Sequence, residues 1–106
     1  MGEELKIIYR ILKSLRASMD AEEFDVRLIS NETLGISKPK WSRLIAMLVS
    51  DGYIDGVSVT AIDNMPLPLV ELVNPCITLK GLEYLEENSL MKRAAEVAKG
   101  IAEIIP

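Results

Sequence analysis

Residues 30–52 read SNETLGISKPKWSRLIAMLVSDG and contain two helix-start signals on either side of a glycine. Ser30 is a good N-cap for one short helical turn, which Gly35 would end in the left-handed conformation. Ser37 is a good N-cap for a second, longer helix, and Pro39 fits its first turn because the missing N–H would be unpaired there anyway. A short helix, a tight turn and a longer helix together predict a helix-turn-helix.

The longer helix separates apolar from polar side chains at helical spacing, and Asp51-Gly52 ends it. The side predicted to be buried consists of Trp41, Leu44, Ile45, Leu48 and Val49. The opposite side carries Lys40, Arg43, Met47 and Ser50. An exposed tryptophan could stack on a nucleic-acid base, but the position of Trp41 in the apolar stripe favours a core residue.

A β-hairpin is predicted after this helix. The β-branched and aromatic residues of 53–59 are typical of a strand, and a second strand is predicted over 69–73, before Asn74-Pro75 breaks it. The loop between the strands is stiffened by two prolines. Thr78 is predicted to cap a further helix, whose apolar positions are Leu79, Leu82 and Leu85. Cys76 is expected to be a small buried residue.

The chain begins with an amphipathic helix over residues 5–19. One face holds the apolar residues Leu5, Ile7, Ile8, Ile11, Leu12, Leu15 and Met19. The opposite face holds Lys6, Arg10, Lys13 and Arg16, which we interpret as a solvated surface; contact of this cation face with nucleic acid remains an alternative. Residues 24–29 alternate apolar and polar side chains, and this pattern favours a short strand.

Residues 90–106 form the most clearly amphipathic segment, with apolar side chains around about half of a helical wheel. We therefore expect a first domain over residues 1–89 and an added C-terminal amphipathic helix over 90–106. This helix would either cover one end of the domain or pair with a second copy in a homodimer. Its candidate interface residues are Leu90, Ala94, Val97, Ile101 and Ile104.

Composition excludes most enzyme chemistry in this chain of 106 residues. It contains no histidine and one cysteine, so the commonest general base and a cysteine-rich metal site are both missing. No glycine-rich phosphate loop is present. The sequence therefore predicts that the protein is not an enzyme, with no catalytic residues, no metal site and no cofactor.

The net charge of -4 argues against generic nucleic-acid binding, but the charges are unevenly distributed. Residues 1–50 hold eight cations and seven anions, a net +1, whereas residues 51–106 hold four and nine, a net -5. Any contact with nucleic acid should therefore come from the first half. The sequence has neither the pattern of a signal peptide nor an apolar run of bilayer length, so we expect a cytoplasmic protein without a membrane partner.

Residues 34–85 resemble winged-helix regulators of the MarR/PadR type. The resemblance rests on Leu34-Gly35-Ile36-Ser37 before the long helix, on residues 48–54 before the hairpin, and on residues 77–85 after it. The whole chain more closely resembles the YjcQ-type family of small bacterial and prophage proteins. The resemblance implies an α+β fold: a winged helix-turn-helix with a three-helix core and a β-hairpin wing. This sequence departs from DNA-binding relatives in the wing, since residues 57–75 contain no Lys or Arg.

Two functions follow as expectations. In the first, the protein is a DNA-binding transcriptional regulator that acts as a homodimer, and the candidate contacts with duplex DNA are Ser37, Lys38, Lys40 and Arg43. The interpretation of these cations as ordinary solvated surface charges remains open beside it. In the second, the same scaffold is a protein–protein interaction module that does not bind DNA. Its partner would contact the apolar wing, with candidates Met65, Leu67 and Leu69, unless the wing folds back onto its own domain.

Overall fold

The computed structural model describes residues 2–89, which form an α+β fold as predicted. The helices are α1 (Glu3–Ala17), a 3-10 helix (Val26–Ile29), α2 (Asn31–Leu34), α3 (Lys38–Ser50) and α4 (79–89). The strands are β1 (Ile54–Thr60) and β2 (Leu69–Ile77), which pair antiparallel. This arrangement of helices and one hairpin is consistent with a winged-helix fold.

The predicted helix-turn-helix signals are confirmed. The Ser30 hydroxyl accepts a hydrogen bond from the Thr33 N–H at 3.2 Å, so Ser30 caps α2. Gly35 ends α2 at φ 71°, in the left-handed conformation that glycine adopts without strain. The Ser37 hydroxyl accepts a hydrogen bond from the Lys40 N–H at 3.3 Å and caps α3. These two caps fix where the helices start and thus where their side chains point.

The core lies between α1, α3 and the start of the hairpin. Its buried apolar residues are Ile7, Ile11, Leu12, Leu15, Ile29, Leu34, Trp41, Leu44, Ile45, Leu48, Ile54 and Leu85. Trp41 is only 4% exposed, and its indole N–H donates a hydrogen bond of 2.7 Å to the Ile29 carbonyl. The prediction of Trp41 as a core residue is confirmed.

The predicted strand at residues 24–29 is wrong, because Val26–Ile29 form a 3-10 helix. The Asp25 carboxylate accepts hydrogen bonds from the backbone N–H and the guanidinium of Arg27 at 3.0 to 3.1 Å. A side chain that bonds the backbone two residues ahead favours a turn over an extended strand. Val26 and Leu28 are exposed, and only Ile29 enters the core. The alternation of the sequence therefore does not mark a sheet face.

Strand β2 continues to Ile77 and does not break at Asn74-Pro75 as predicted. The register with β1 is interrupted between Asp55 and Val57, where a bulge forms. Gly56 lies in this bulge at φ 74°, and its Cα faces the Asn74 carbonyl so closely that no side chain fits between them. Proline is tolerated at a bulge because no ladder hydrogen bond is required of it there.

The burial of Cys76 and Leu79 differs from the prediction. Cys76 is exposed, because Pro75 takes the buried position and side chains alternate along a strand. Thr78 caps α4 as predicted, since its hydroxyl accepts a hydrogen bond from the Gly81 N–H at 3.1 Å. Leu85 is buried, but Leu79 is 72% exposed. At about 100° per residue, Leu79 lies about 120° around the helix from Leu85 and cannot share its buried face.

The predicted C-terminal helix over 90–106 lies outside the described residues, as do its candidate interface residues Leu90, Ala94, Val97, Ile101 and Ile104. Within residues 2–89, no helix combines the length and the apolarity needed to cross a membrane.

Candidate functional site

The outward face of α3 is fixed by the burial of its other side. Trp41, Leu44 and Ile45 anchor the helix in the core, and positions on the opposite side are exposed. Arg43 stands near the middle of this outward face. Its guanidinium takes part in no salt bridge between described residues. A guanidinium with five donors in a fixed fork suits a planar acceptor such as a guanine edge or a phosphate.

The start of α3 offers few donors to a ligand. Ser37 uses its hydroxyl as the cap of the helix, and the Lys40 N–H is bonded to that hydroxyl. Pro39 has no N–H. A phosphate at this helix start would therefore be reached by the backbone of Ser37 and Lys38 alone.

Lys38 lies on the side of α3 next to the hairpin. Its ammonium is 4.2 Å from the centroid of the Trp41 ring, within the range of a cation–π contact. Lys38 and Trp41 line a shallow depression together with Leu72 of β2 and Arg27 of the 3-10 helix. Lys38 is exposed, so its ammonium can meet an anion that approaches between α3 and the hairpin.

Lys40 is directed toward α1, and its side chain is half-buried. Its ammonium lies 3.3 Å from a carboxylate oxygen of Glu4 and 4.0 Å from one of Glu3. A hydrogen bond from its own backbone N–H holds the pKa of Glu4 below its ordinary value, and the Lys40 ammonium lowers that pKa further. The two carboxylates partly neutralise Lys40, which makes it the weakest of the three candidate cations.

The four residues predicted to contact DNA therefore lie together at α3 but do not form one cluster. Lys38 lies toward the hairpin, Lys40 toward the start of α1, and Arg43 outward between them. The pairing of Lys40 with Glu4 could not be foreseen, because it depends on the angle at which α1 crosses α3.

A second set of cations lies on α1. The exposed side chains are Lys6, Arg10, Lys13 and Arg16. They lie opposite the buried face of the helix, as predicted, and they were not among the residues predicted to contact DNA. One contact ties them to the helix-turn-helix: the Arg10 guanidinium donates a hydrogen bond of 3.4 Å to the Thr33 carbonyl of α2.

The hairpin presents apolar side chains to solvent. Val73 is 73% exposed and shares the outward face of β2 with Leu69, which is also exposed. Met65 in the connecting loop is exposed, whereas Leu67 is half-buried. Of the three wing residues predicted to contact a partner, Met65 and Leu69 are thus accessible and Leu67 only in part.

Comparison with known proteins identifies relatives of one kind. A family model described as "YjcQ protein" matches residues 9–104. The solution NMR structure of the YjcQ protein from Bacillus subtilis is 25% identical in sequence, and the match covers 78% of this chain and 92% of that chain with a TM-score of 0.49. No curated protein matches the chain.

Proposed function

The chain belongs to the YjcQ protein family, and we propose that this member is a small DNA-binding regulator whose helix α3 enters the major groove of duplex DNA. The proposal rests on one observation above all. Arg43 projects from the middle of the outward face of a helix that follows a short capped helix and a glycine turn. Placing a recognition helix in the major groove is what a helix-turn-helix does.

Each candidate residue then has its own role. The Arg43 guanidinium donates two hydrogen bonds to one acceptor pair, such as O6 and N7 of guanine. The Lys38 ammonium, held beside Trp41, meets a phosphate next to the hairpin. Lys40 contributes little, since Glu3 and Glu4 already hold its ammonium.

Dimerisation would strengthen this interface. One copy presents two accessible cations on α3. Affinity that depends on the neutralisation of phosphates requires a larger number of cations. A homodimer doubles the number of contacts and reads two half-sites. The proposal therefore includes a homodimer in the DNA-bound state, checked by the mass of the complex in light scattering.

We expect Arg43→Ala to weaken binding to the preferred duplex by about 1–3 kcal/mol, because the substitution removes one bidentate pair with a base. The preferred duplex is first selected from a pool of randomised sequences, and affinities are then measured by fluorescence anisotropy at one fixed salt concentration. Arg43 is exposed, so the substitution leaves the fold intact.

Two variants sharpen this experiment. Arg43→Lys keeps the charge but loses the planar guanidinium that donates two parallel hydrogen bonds. It should therefore bind phosphates better than Arg43→Ala does, without regaining the sequence preference of wild type. Lys40→Ala should have a smaller effect than Arg43→Ala, because its ammonium is already paired with Glu4. If wild type and Arg43→Ala bind with equal affinity, α3 does not contact the DNA.

The exposed hairpin favours a second candidate, a protein-interaction module. Leu69 and Val73 lie on the outward face of β2 with Glu71 between them, and Met65 in the connecting loop is also exposed. Val70 and Leu72 on the other face of the strand pack against the core, whereas Leu69 and Val73 are exposed among the described residues. Protein partners bind exposed apolar surface of this kind, whereas phosphates do not.

We expect Val73→Asp to abolish association through the hairpin while lowering the free energy of unfolding by no more than about 1 kcal/mol, since the side chain is exposed and the change costs only strand propensity. Sedimentation of the pure protein measures self-association. Arg43→Ala is the control, because it alters α3 and leaves the hairpin unchanged. If Val73→Asp associates as wild type does, the hairpin is not the contact surface.

A further inference from the structure

The four exposed cations of α1 form a continuous stripe along one face of the helix. Lys6, Arg10, Lys13 and Arg16 are spaced four, three and three residues apart. At 1.5 Å per residue the stripe extends about 15 Å along the helix axis. The four side chains fall within about 120° of the helix circumference. We call this surface the α1 stripe.

No acidic side chain interrupts the α1 stripe. The sequence contains no Asp or Glu between Glu4 and Asp20. Among residues 2–89, the salt bridges involve Arg27 and Lys40, and none involves a cation of the stripe. Two contacts hold members of the stripe, and neither is with an acid: the Arg10 guanidinium donates a hydrogen bond to the Thr33 carbonyl, and the Lys13 ammonium lies 5.9 Å from the centroid of the Tyr9 ring.

This arrangement is unusual for a solvated face in an acidic protein. A helix surface that serves solubility alone commonly mixes both signs, because acid–base pairs three or four residues apart stabilise the helix. Four like charges on one face of α1 instead repel one another. A ligand with closely spaced negative charges would relieve this repulsion.

We propose that the α1 stripe binds the phosphate backbone of duplex DNA without regard to sequence. A duplex carries a negative charge about every 1.7 Å of its axis when both strands are counted, so over about 15 Å the phosphates are dense enough for each cation of the stripe to approach one. The proposal takes its class of ligand from the proposed function and adds a second contact surface, which supplies backbone attraction that the hairpin lacks.

An anionic lipid surface fits the stripe less well. Helices that lie on membranes insert an apolar face beneath their cations. The apolar face of α1 is already occupied, because Ile7, Ile11 and Leu15 are buried in the core. The stripe could then meet lipid headgroups only by charge, without the insertion that holds such helices on a membrane.

The test is the salt dependence of binding to random-sequence duplex DNA, measured by fluorescence anisotropy between about 50 and 200 mM salt. Each phosphate interaction that a variant removes should lower the slope of log affinity against log salt by about 0.9. We expect Lys6→Gln and Lys13→Gln each to produce this change, and the double variant about 1.8. Both lysines are exposed, so circular dichroism should be unchanged.

Lys80→Gln is the matched control. Lys80 is an exposed lysine on α4 whose ammonium donates a hydrogen bond of 2.8 Å to the Asp51 carbonyl. The substitution removes one positive charge outside the stripe together with that bond, and circular dichroism checks that the fold is kept. Its slope should equal that of wild type. A second control, Lys6→Arg with Lys13→Arg, keeps the charges and should keep the wild-type slope as well.

The outcomes separate this inference from the proposed function. Equal slopes for Lys13→Gln and Lys80→Gln, or no wild-type binding to random duplex, would overturn the role of the stripe while recognition by α3 could still stand. Loss of binding in the stripe variants with no effect of Arg43→Ala would support the stripe and overturn recognition by α3. Binding to phosphatidylserine vesicles but not to duplex, abolished in the double variant, would also overturn the proposal.

Discussion

Trp41→Ala is expected to lower the free energy of unfolding by about 3–5 kcal/mol. The side chain is almost completely buried and fills the space between α3 and Ile29. Its removal leaves a cavity and also takes away the donor bonded to the Ile29 carbonyl. Because the free energy of unfolding of a small domain is about 5–15 kcal/mol, such a loss is a large fraction of it. Urea unfolding followed by circular dichroism measures it.

Two further variants divide this loss into its causes. Trp41→Phe keeps an aromatic ring but loses the N–H and part of the ring volume, so its cost should lie between that of the unsatisfied Ile29 carbonyl, about 1–3 kcal/mol, and that of Trp41→Ala. Met47→Ala on the same helix removes a side chain that is 52% exposed and should cost far less. A Trp41→Ala protein as stable as Met47→Ala would mean that Trp41 is not a core residue.

Gly56→Ala is expected to destabilise the hairpin by about 2–6 kcal/mol, the sum of a strained left-handed residue and an overpacked site. The backbone of Gly56 has φ 74°. An added Cβ would overlap the Asn74 carbonyl oxygen and lie 2.6 Å from its carbon. Since backbone cannot rotate away like a side chain, the bulge must open. The loss of stability is measured by urea unfolding.

Gly35→Ala supplies the control for this prediction. Gly35 has a similar φ of 71°, but an added Cβ would meet nothing within 4 Å. Its cost should therefore be the conformational strain alone, about 1–2 kcal/mol. If both variants lose the same stability, the close approach of β1 and β2 at the bulge is not what requires a glycine at position 56.

The local features of the fold could be predicted from the sequence because each depends on neighbouring residues. Ser30, Gly35 and Ser37 mark helix ends through hydrogen bonds or backbone conformations within a few residues. Helical spacing alone predicts most of the buried stripe of α3, but Val49 is only half-buried and Ser42, not predicted to be buried, is. The predicted strand over residues 24–29 is wrong because one local contact outweighs the alternating pattern: the Arg27 N–H donates a hydrogen bond to the Asp25 carboxylate.

The features that could not be predicted depend on contacts between distant residues. The extension of β2 past Pro75 requires the bulge at Gly56, whose position follows from strand pairing. The pairing of Lys40 with Glu4 requires α1 to cross α3 at an angle that brings the two side chains together. Helical spacing therefore predicts which candidate residues α3 carries, but the accessibility of each cation depends on the packing of α1 and the hairpin.

The most direct test of recognition by α3 is an NMR titration of the ¹⁵N-labelled protein with its selected duplex. We expect the backbone signals of Ser37 and Lys38 and the side-chain Nε–H of Arg43 to shift in proportion to bound DNA. Signals of the outward face of β2, such as Leu69 and Val73, should stay in place. Unchanged α3 signals in the presence of saturating duplex would contradict the account.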